Sequence, residues 1–120
     1  MRGDEHVVVW GSGSPRREFL HVADLADAIV LLLEVYDEEA IINVGCGTDM
    51  TVRELCETVK AVVGYRGRLE FDTSKPDGTP RKLLDISRIT ALGWQPRISL
   101  RSGIERLYAW FCENGASLRV

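Results

Sequence analysis

Several protein classes are closed to this sequence by what it lacks. It holds three cysteines, Cys46, Cys56 and Cys112, an odd number with no C-x-x-C pair, and its two histidines, His6 and His21, stand apart from them. Neither a disulfide framework nor a set of soft ligands at metal-site spacing can be drawn from these residues, so the thiols read as free, buried or partly buried side chains in a reducing compartment. Prolines number four, and there is no internal repeat, low-complexity tract or linker, which excludes collagen-like, mucin-like and generally disordered chains. Long apolar runs are missing too: Ala28–Leu33 falls far short of the about 18–20 residues of a membrane span. Met1–His6 does not lead into a signal-peptide core, and the adhesion tripeptide Arg2-Gly3-Asp4 is coincidental in such a setting. An excess of positive charge is also absent, with 15 Lys+Arg against 18 Asp+Glu. No global basic field therefore exists to hold nucleic acid or an anionic membrane, and any anion site has to be local. The expectation is a cytoplasmic protein.

What is present is ordinary globular composition, 45% hydrophobic over 120 residues, enough for one domain spanning 1–120. Val7–Trp10 reads as a strand broken by Gly11-Ser12-Gly13-Ser14-Pro15, and Glu18–Val22 as a second strand. From Asp24 the apolar spacing becomes helical through Leu25, Ala28, Ile29, Leu32, Leu33 and Tyr36. Ala26, Val30 and Leu31 make the other faces of this helix apolar as well, which predicts burial on more than one side. Ile41–Val44 reads as a short buried strand closed by Gly45-Cys46-Gly47. Thr51 and Glu54 form a capping box ahead of a helix with one apolar face, and Gly64 takes its C-terminal cap. Arg68–Asp72 alternates as a half-buried strand, and Thr73–Pro80 is a loop built on Pro76-Asp77-Gly78. Leu83–Ile86 reads as a brief strand, Ser87 as the cap of a short helix ended by Gly93, and Ser99 as the start of a last helix. This order belongs to an α/β or mixed class.

Two glycine loops, Gly11-Ser12-Gly13 and Gly45-Cys46-Gly47, begin like dinucleotide fingerprints, but Arg16 and Met50 stand where the third glycine is needed. Turn geometry accounts for both. Nor does any tyrosine precede a lysine by four residues: Ala40, Leu69 and Cys112 follow Tyr36, Tyr65 and Tyr108 at that spacing. The proton-exchanging Tyr–Lys pair of short-chain dehydrogenases is thus not in this chain. Cations are more suggestive. Arg16-Arg17 follow a glycine loop, and Lys75, Arg81 and Lys82 flank the Pro76–Pro80 loop, so two loops can clamp a diphosphate, with solvated surface charge as the alternative. Trp10, at a strand end beside the glycines, can lie against a base or sugar or belong to the core. His21 reads as a satisfied, partly buried histidine in an apolar strand.

Val8-Val9-Trp10-Gly11-Ser12-Gly13, Arg17–Val22 with Asp24-Leu25-Ala26, Asn43-Val44-Gly45 and above all Ser74–Asp85 (SKPDGTPRKLLD) resemble the C-terminal part of the GDP-L-fucose synthases, which are extended short-chain dehydrogenases/reductases. Phe19–Ala28 alone is shared across many nucleotide-sugar epimerases, whereas the dodecapeptide is long and compositionally odd. The resemblance implies an enzyme that epimerises C3 and C5 of GDP-4-keto-6-deoxy-D-mannose and reduces C4 with NADPH. It also implies an incomplete Rossmann-type α/β fold of short strands with three to four helices. In that family the reducing triad, the epimerising Cys and His and the NADP fingerprint lie upstream of the matched segment. NADP is thus implied for the complete enzyme, with no cofactor held and no catalytic residue supplied by these residues. Segment 22–44 is expected to pack on an N-terminal cofactor lobe absent from this sequence, and the complete enzyme to be a homodimer. Trp10, Arg17 and Asp77 match positions that contact the GDP-sugar, and Lys82 a diphosphate contact; Arg81 is a further candidate, with surface support as its alternative. Other readings are a non-catalytic nucleotide-sugar binding or interaction module, or part of a related NAD-dependent epimerase/dehydratase, which would leave Lys75–Asp85 unexplained.

With its apolar helix uncovered, the isolated chain is expected to be less stable than its composition suggests. A near-UV circular dichroism melt on its three tryptophans tests this, and a high, sharp transition for a proven monomer would contradict it.

Overall fold

A computed structural model describes residues 5–118; Arg2-Gly3-Asp4 lies outside them. Two distant β-rich segments pair in parallel: β1 (His6–Trp10) lies beside β4 (Arg68–Asp72), with His6 opposite Arg68 and Trp10 opposite Asp72. Parallel pairing demands a long crossover. It runs through β2 (Arg16–Arg17), α1 (Val22–Val35), β3 (Met50–Thr51) and α2 (Val52–Val63). β2 is the centre of a second small sheet, antiparallel to β3 and parallel to β5 (Arg81–Lys82). The chain ends in α3 (Ser87–Ala91), α4 (Leu100–Asn114) and a 3-10 turn over Gly115–Ser117.

The helix signals of α2 and α4 translate directly, whereas Ser87 is the first residue of α3 and not its cap, which is Ile86 without a side-chain cap hydrogen bond. At the start of α2 the Thr51 hydroxyl accepts from the Glu54 N–H at 3.1 Å and the Glu54 carboxylate accepts from the Thr51 N–H at 2.7 Å. Gly64 closes the helix in the left-handed conformation, φ 70°. Ser99 caps α4 by accepting from the Ser102 N–H. Strand expectations fare less well. Glu18–Val22 is not a strand: pairing is confined to Arg16–Arg17, and α1 begins at Val22, earlier than Asp24. His21 is its N-cap, its Nδ1 accepting from the Ala23 N–H at 3.0 Å, rather than a residue inside a strand. Ile41–Val44 and Leu83–Ile86 are irregular, and β5 lies just ahead of the latter. Apolar runs make strands only where a ladder partner exists, and none flanks these two among the described residues. Cys112 is exposed, contrary to expectation, while Cys46 and Cys56 are partly buried.

The core is small. Ala28 of α1, Ile89 of α3 and Trp94 are its buried apolar residues, with Leu20, Leu31, Leu32, Ile42, Val44 and Ile86 packed around them. Many large apolar side chains face water, among them Val22, Leu33 and Ile41 at 73%, 82% and 88% exposure. The radius of gyration is 17.2 Å, against about 14 Å for a compact chain of this length. The surface of 8853 Å² compares with about 6,500 Å² for a monomer of this mass. No described helix is long and apolar enough to cross a membrane.

Asp24 fastens the C-terminal part of the chain to α1. It is 2% exposed, and its carboxylate accepts from the N–H groups of Arg97, at 3.1 Å, and Ile98, at 2.9 Å. Asp24→Ala would leave both N–H groups without a partner and should cost about 3 kcal/mol of stability, read as a lowered denaturation midpoint. A change below about 0.5 kcal/mol would mean that water replaces the carboxylate.

Candidate functional site

Successive residues of a strand point to opposite faces, so the dipeptides Arg16-Arg17 and Arg81-Lys82 each divide in two. Their register sets Arg16 opposite Arg81 and Arg17 opposite Lys82. The first pair shares one carboxylate, which offsets one of its two charges. Asp49, whose side chain is 5% exposed, takes Arg16 Nε on one carboxylate oxygen at 3.0 Å and Arg81 Nε on the other at 2.5 Å. Burial pushes the Asp49 carboxyl up, but the hydrogen bonds and charges of the two guanidiniums outweigh it and hold its pKa below the usual carboxylate range. On the other face, Arg17 and Lys82 form no ion pair among the described residues. Arg17 Nη1 donates to the Arg16 carbonyl at 2.7 Å. Its Nη2 reaches the Pro76–Pro80 loop, 3.8 Å from where a Cβ on Gly78 would sit. A cleft of about 240 Å³ opens beside Arg17, lined by Phe19, Met50, Arg97, Ile98 and Leu100.

Trp10 is 73% exposed at the close of β1. It is not a core residue; Lys75 Nζ lies 5.3 Å from its ring centroid. The glycine loop after it is held from below. Asp77 accepts from the Ser12 N–H at 2.6 Å and from the Ser12 hydroxyl at 2.7 Å. These two hydrogen bonds keep the Asp77 carboxyl below its ordinary pKa. Gly11 and Gly13, both at positive φ, allow the approach: a Cβ at Gly11 would meet Asp77 Oδ1 at 2.5 Å and one at Gly13 would meet the Phe71 ring at 2.6 Å. Arg53 of α2 stacks on Phe71, 3.7 Å from the ring centroid, and donates to the Ser12 carbonyl at 2.9 Å.

The site residues read from the sequence thus fall into two groups. Arg17 and Lys82 are neighbours, Asp77 shares the Arg17-facing loop with Gly78, and Trp10 borders the same glycine loop that Asp77 grips. Arg81 points away from Arg17, onto Asp49, the supporting contact that was its alternative. Asp49 and Ser12 were not singled out. The signal for Asp49 was an acid just ahead of an expected helix cap, in a chain with four cations in two dipeptides.

Neither glycine loop fits a dinucleotide. The Gly11 N–H donates to the Asp72 carbonyl, Ser12 N–H to Asp77, and Gly47 N–H to Glu18, so these three donors are engaged within the chain, and neither loop has the third glycine of the fingerprint. No group of His, Cys, Asp and Glu among the described residues could hold a metal ion.

The NAD dependent epimerase/dehydratase family matches residues 1–45. The chain is 55% identical to GDP-L-fucose synthase 1 of Arabidopsis thaliana over 95% of its own length and 35% of that protein's. It is 54% identical to GDP-L-fucose synthase of Escherichia coli, covering 90% of itself and 36% of that protein. A solved GDP-L-fucose synthetase of Naegleria fowleri, bound to NADP, superposes with a TM-score of 0.90 at 28% identity, over 96% of this chain and 37% of that one. In fold the chain is similar to part of that short-chain dehydrogenase/epimerase-type structure, a partial Rossmann-like unit of mixed helix and strand. Within that class its homologues are GDP-L-fucose synthases, and the chain spans about a third of the length of those it matches.

The low pKa values of Asp49 and Asp77 carry a sign. A carboxylate whose folded pKa lies below its unfolded value contributes stability that is complete above the unfolded value and is lost as pH falls through the folded one. Asp77→Asn should therefore melt below the native chain at neutral pH, with the gap closing below about pH 4. A gap that persists unchanged in thermal melts taken down to about pH 3 would show that the Asp77 charge is not what stabilises the Ser12 contact.

Proposed function

We propose that this chain is the GDP-sugar-binding part of a GDP-L-fucose synthase, which converts GDP-4-keto-6-deoxy-D-mannose to GDP-L-fucose by 3,5-epimerisation and NADPH-dependent 4-reduction. The observation that carries this reading is the pair Arg17 and Lys82, side by side without an acid partner among the described residues, in a chain whose homologues are named for that reaction. Two adjacent cations repel, and a diphosphate resolves the repulsion with charge-assisted hydrogen bonds. Trp10 offers an exposed aromatic wall to the base or sugar. Asp77 uses part of its acceptor capacity on Ser12 and keeps lone pairs for ribose or base donors.

In this reading residues 1–120 form one substrate-binding domain, and segment 22–44 packs on a cofactor lobe outside the sequence. The surface supports it: the chain exposes roughly 2,400 Å² more than a compact monomer of its mass, several times the about 800 Å² each partner contributes to a standard interface. The epimerising and reducing groups, and the NADP site, belong to that lobe. The complete enzyme works in the cytoplasm as a homodimer.

The test is to join this chain to the N-terminal two-thirds of the Escherichia coli enzyme and follow NADPH oxidation. The expected outcome is oxidation that depends on GDP-4-keto-6-deoxy-D-mannose, together with a melting temperature raised by GDP and not by UDP. A folded hybrid stabilised by GDP but unable to oxidise NADPH would favour a non-catalytic binding module; stabilisation by UDP would favour a different nucleotide-sugar enzyme.

A further inference from the structure

Four cations occupy the four positions of the β2–β5 ladder, so both cross-strand pairs, Arg16 with Arg81 and Arg17 with Lys82, are like-charged. Directly opposed like charges destabilise a ladder, and this one is only two residues long. Its backbone hydrogen bonds are too few to pin the register by themselves. A slip of one residue would turn Lys82 to the face that carries Asp49 and part it from Arg17.

We propose that Asp49 is a positioning residue for diphosphate binding: by holding Arg16 and Arg81 together on one face of the ladder, it sets the register that presents Arg17 and Lys82 together on the other. This rests on the diphosphate reading of Arg17 and Lys82 given above. The geometry is specific to a carboxylate. Each oxygen takes a different arginine, Oδ1 from Arg16 and Oδ2 from Arg81, and the Asp49 carbonyl accepts from Arg16 Nη2 at 3.3 Å. Asp49 directly precedes β3, whose Met50 and Thr51 pair with Arg17 and Arg16, so one residue ties all three strands of the sheet. The Asp49 carboxylate is nearly buried beneath the two guanidiniums, which are themselves partly open to water. An asparagine of the same shape has one acceptor oxygen and would turn its amide donors toward the second guanidinium.

The proposal separates affinity for the diphosphate from affinity for the nucleoside. In the complete enzyme containing this chain, Asp49→Asn should weaken GDP by about tenfold or more, while the affinity for guanosine, which bears no phosphate, stays within about twofold. Calorimetric titration of the two ligands reads this directly. Arg16→Gln breaks the same bridge from its other side and should move GDP affinity in the same direction. The double variant should lose no more than Asp49→Asn alone, as expected for two ends of one interaction. Should Asp49→Asn not fold, Arg16→Gln carries the test by itself. Equal losses for GDP and guanosine, or a lower melting temperature with GDP affinity unchanged, would overturn the positioning role. Arg17→Ala keeps the two readings apart: GDP affinity unchanged in that variant overturns the diphosphate site and the role of Asp49 with it. A loss in Arg17→Ala without one in Asp49→Asn or Arg16→Gln overturns the role of Asp49 alone.

Discussion

The carboxylate of Asp24, buried in the first turn of α1 and closed over the N–H groups of Arg97 and Ile98, is the contact on which the arrangement of the chain depends. It joins a helix near the start of the sequence to the segment leading into α4, beside a core of only three buried apolar residues. The same device recurs on a smaller scale. Glu18 takes the Gly47 N–H, Asp77 the Ser12 N–H, and Asp85 the Ser87 N–H. Asp49 does with two guanidiniums what the others do with backbone. A chain with so little apolar burial of its own is held by charge-assisted hydrogen bonds at its loops, each stronger than a neutral one and each directional enough to fix a turn.

That economy explains which parts of the fold were legible in the sequence. α2 and α4 could be read because their signals are local: Thr51 with Glu54, Gly64 past the end, Ser99 ahead of an apolar stripe. β4 was legible from alternation, and β1 from its β-branched run. Ile41–Val44 and Leu83–Ile86 misled because an apolar run reports burial in some environment, not the presence of a ladder partner in the same chain. His21 misled for a different reason: its imidazole caps a helix, a role more usual for Ser, Thr, Asp or Asn.

The candidate site was half legible. Adjacent cations and a proline-glycine loop are visible in one dimension, and they do meet in space. Which of the four cations are engaged, and by what, depends on contacts more than thirty residues apart, Arg16 and Arg81 with Asp49. Alternation along β2 and β5 sorts them once the register is known, and register is the one quantity that composition and periodicity do not carry. The result is a ladder with two positive charges on one side, unpaired among the described residues, and, on the other, two that share a single carboxylate. Net negative charge over the whole molecule is no obstacle to an anion site built that way.

The Asp24 contact also imposes an order of events during synthesis. A ribosome adding about 5–20 residues per second delivers α1 several seconds before Arg97 and Ile98 exist. Throughout that interval the Asp24 carboxylate has no backbone donor from the later segment. β1 waits likewise for β4, which is made some sixty residues later. Vectorial growth thus leaves the β1 ladder and the Asp24 contact provisional until the segments that complete them have emerged.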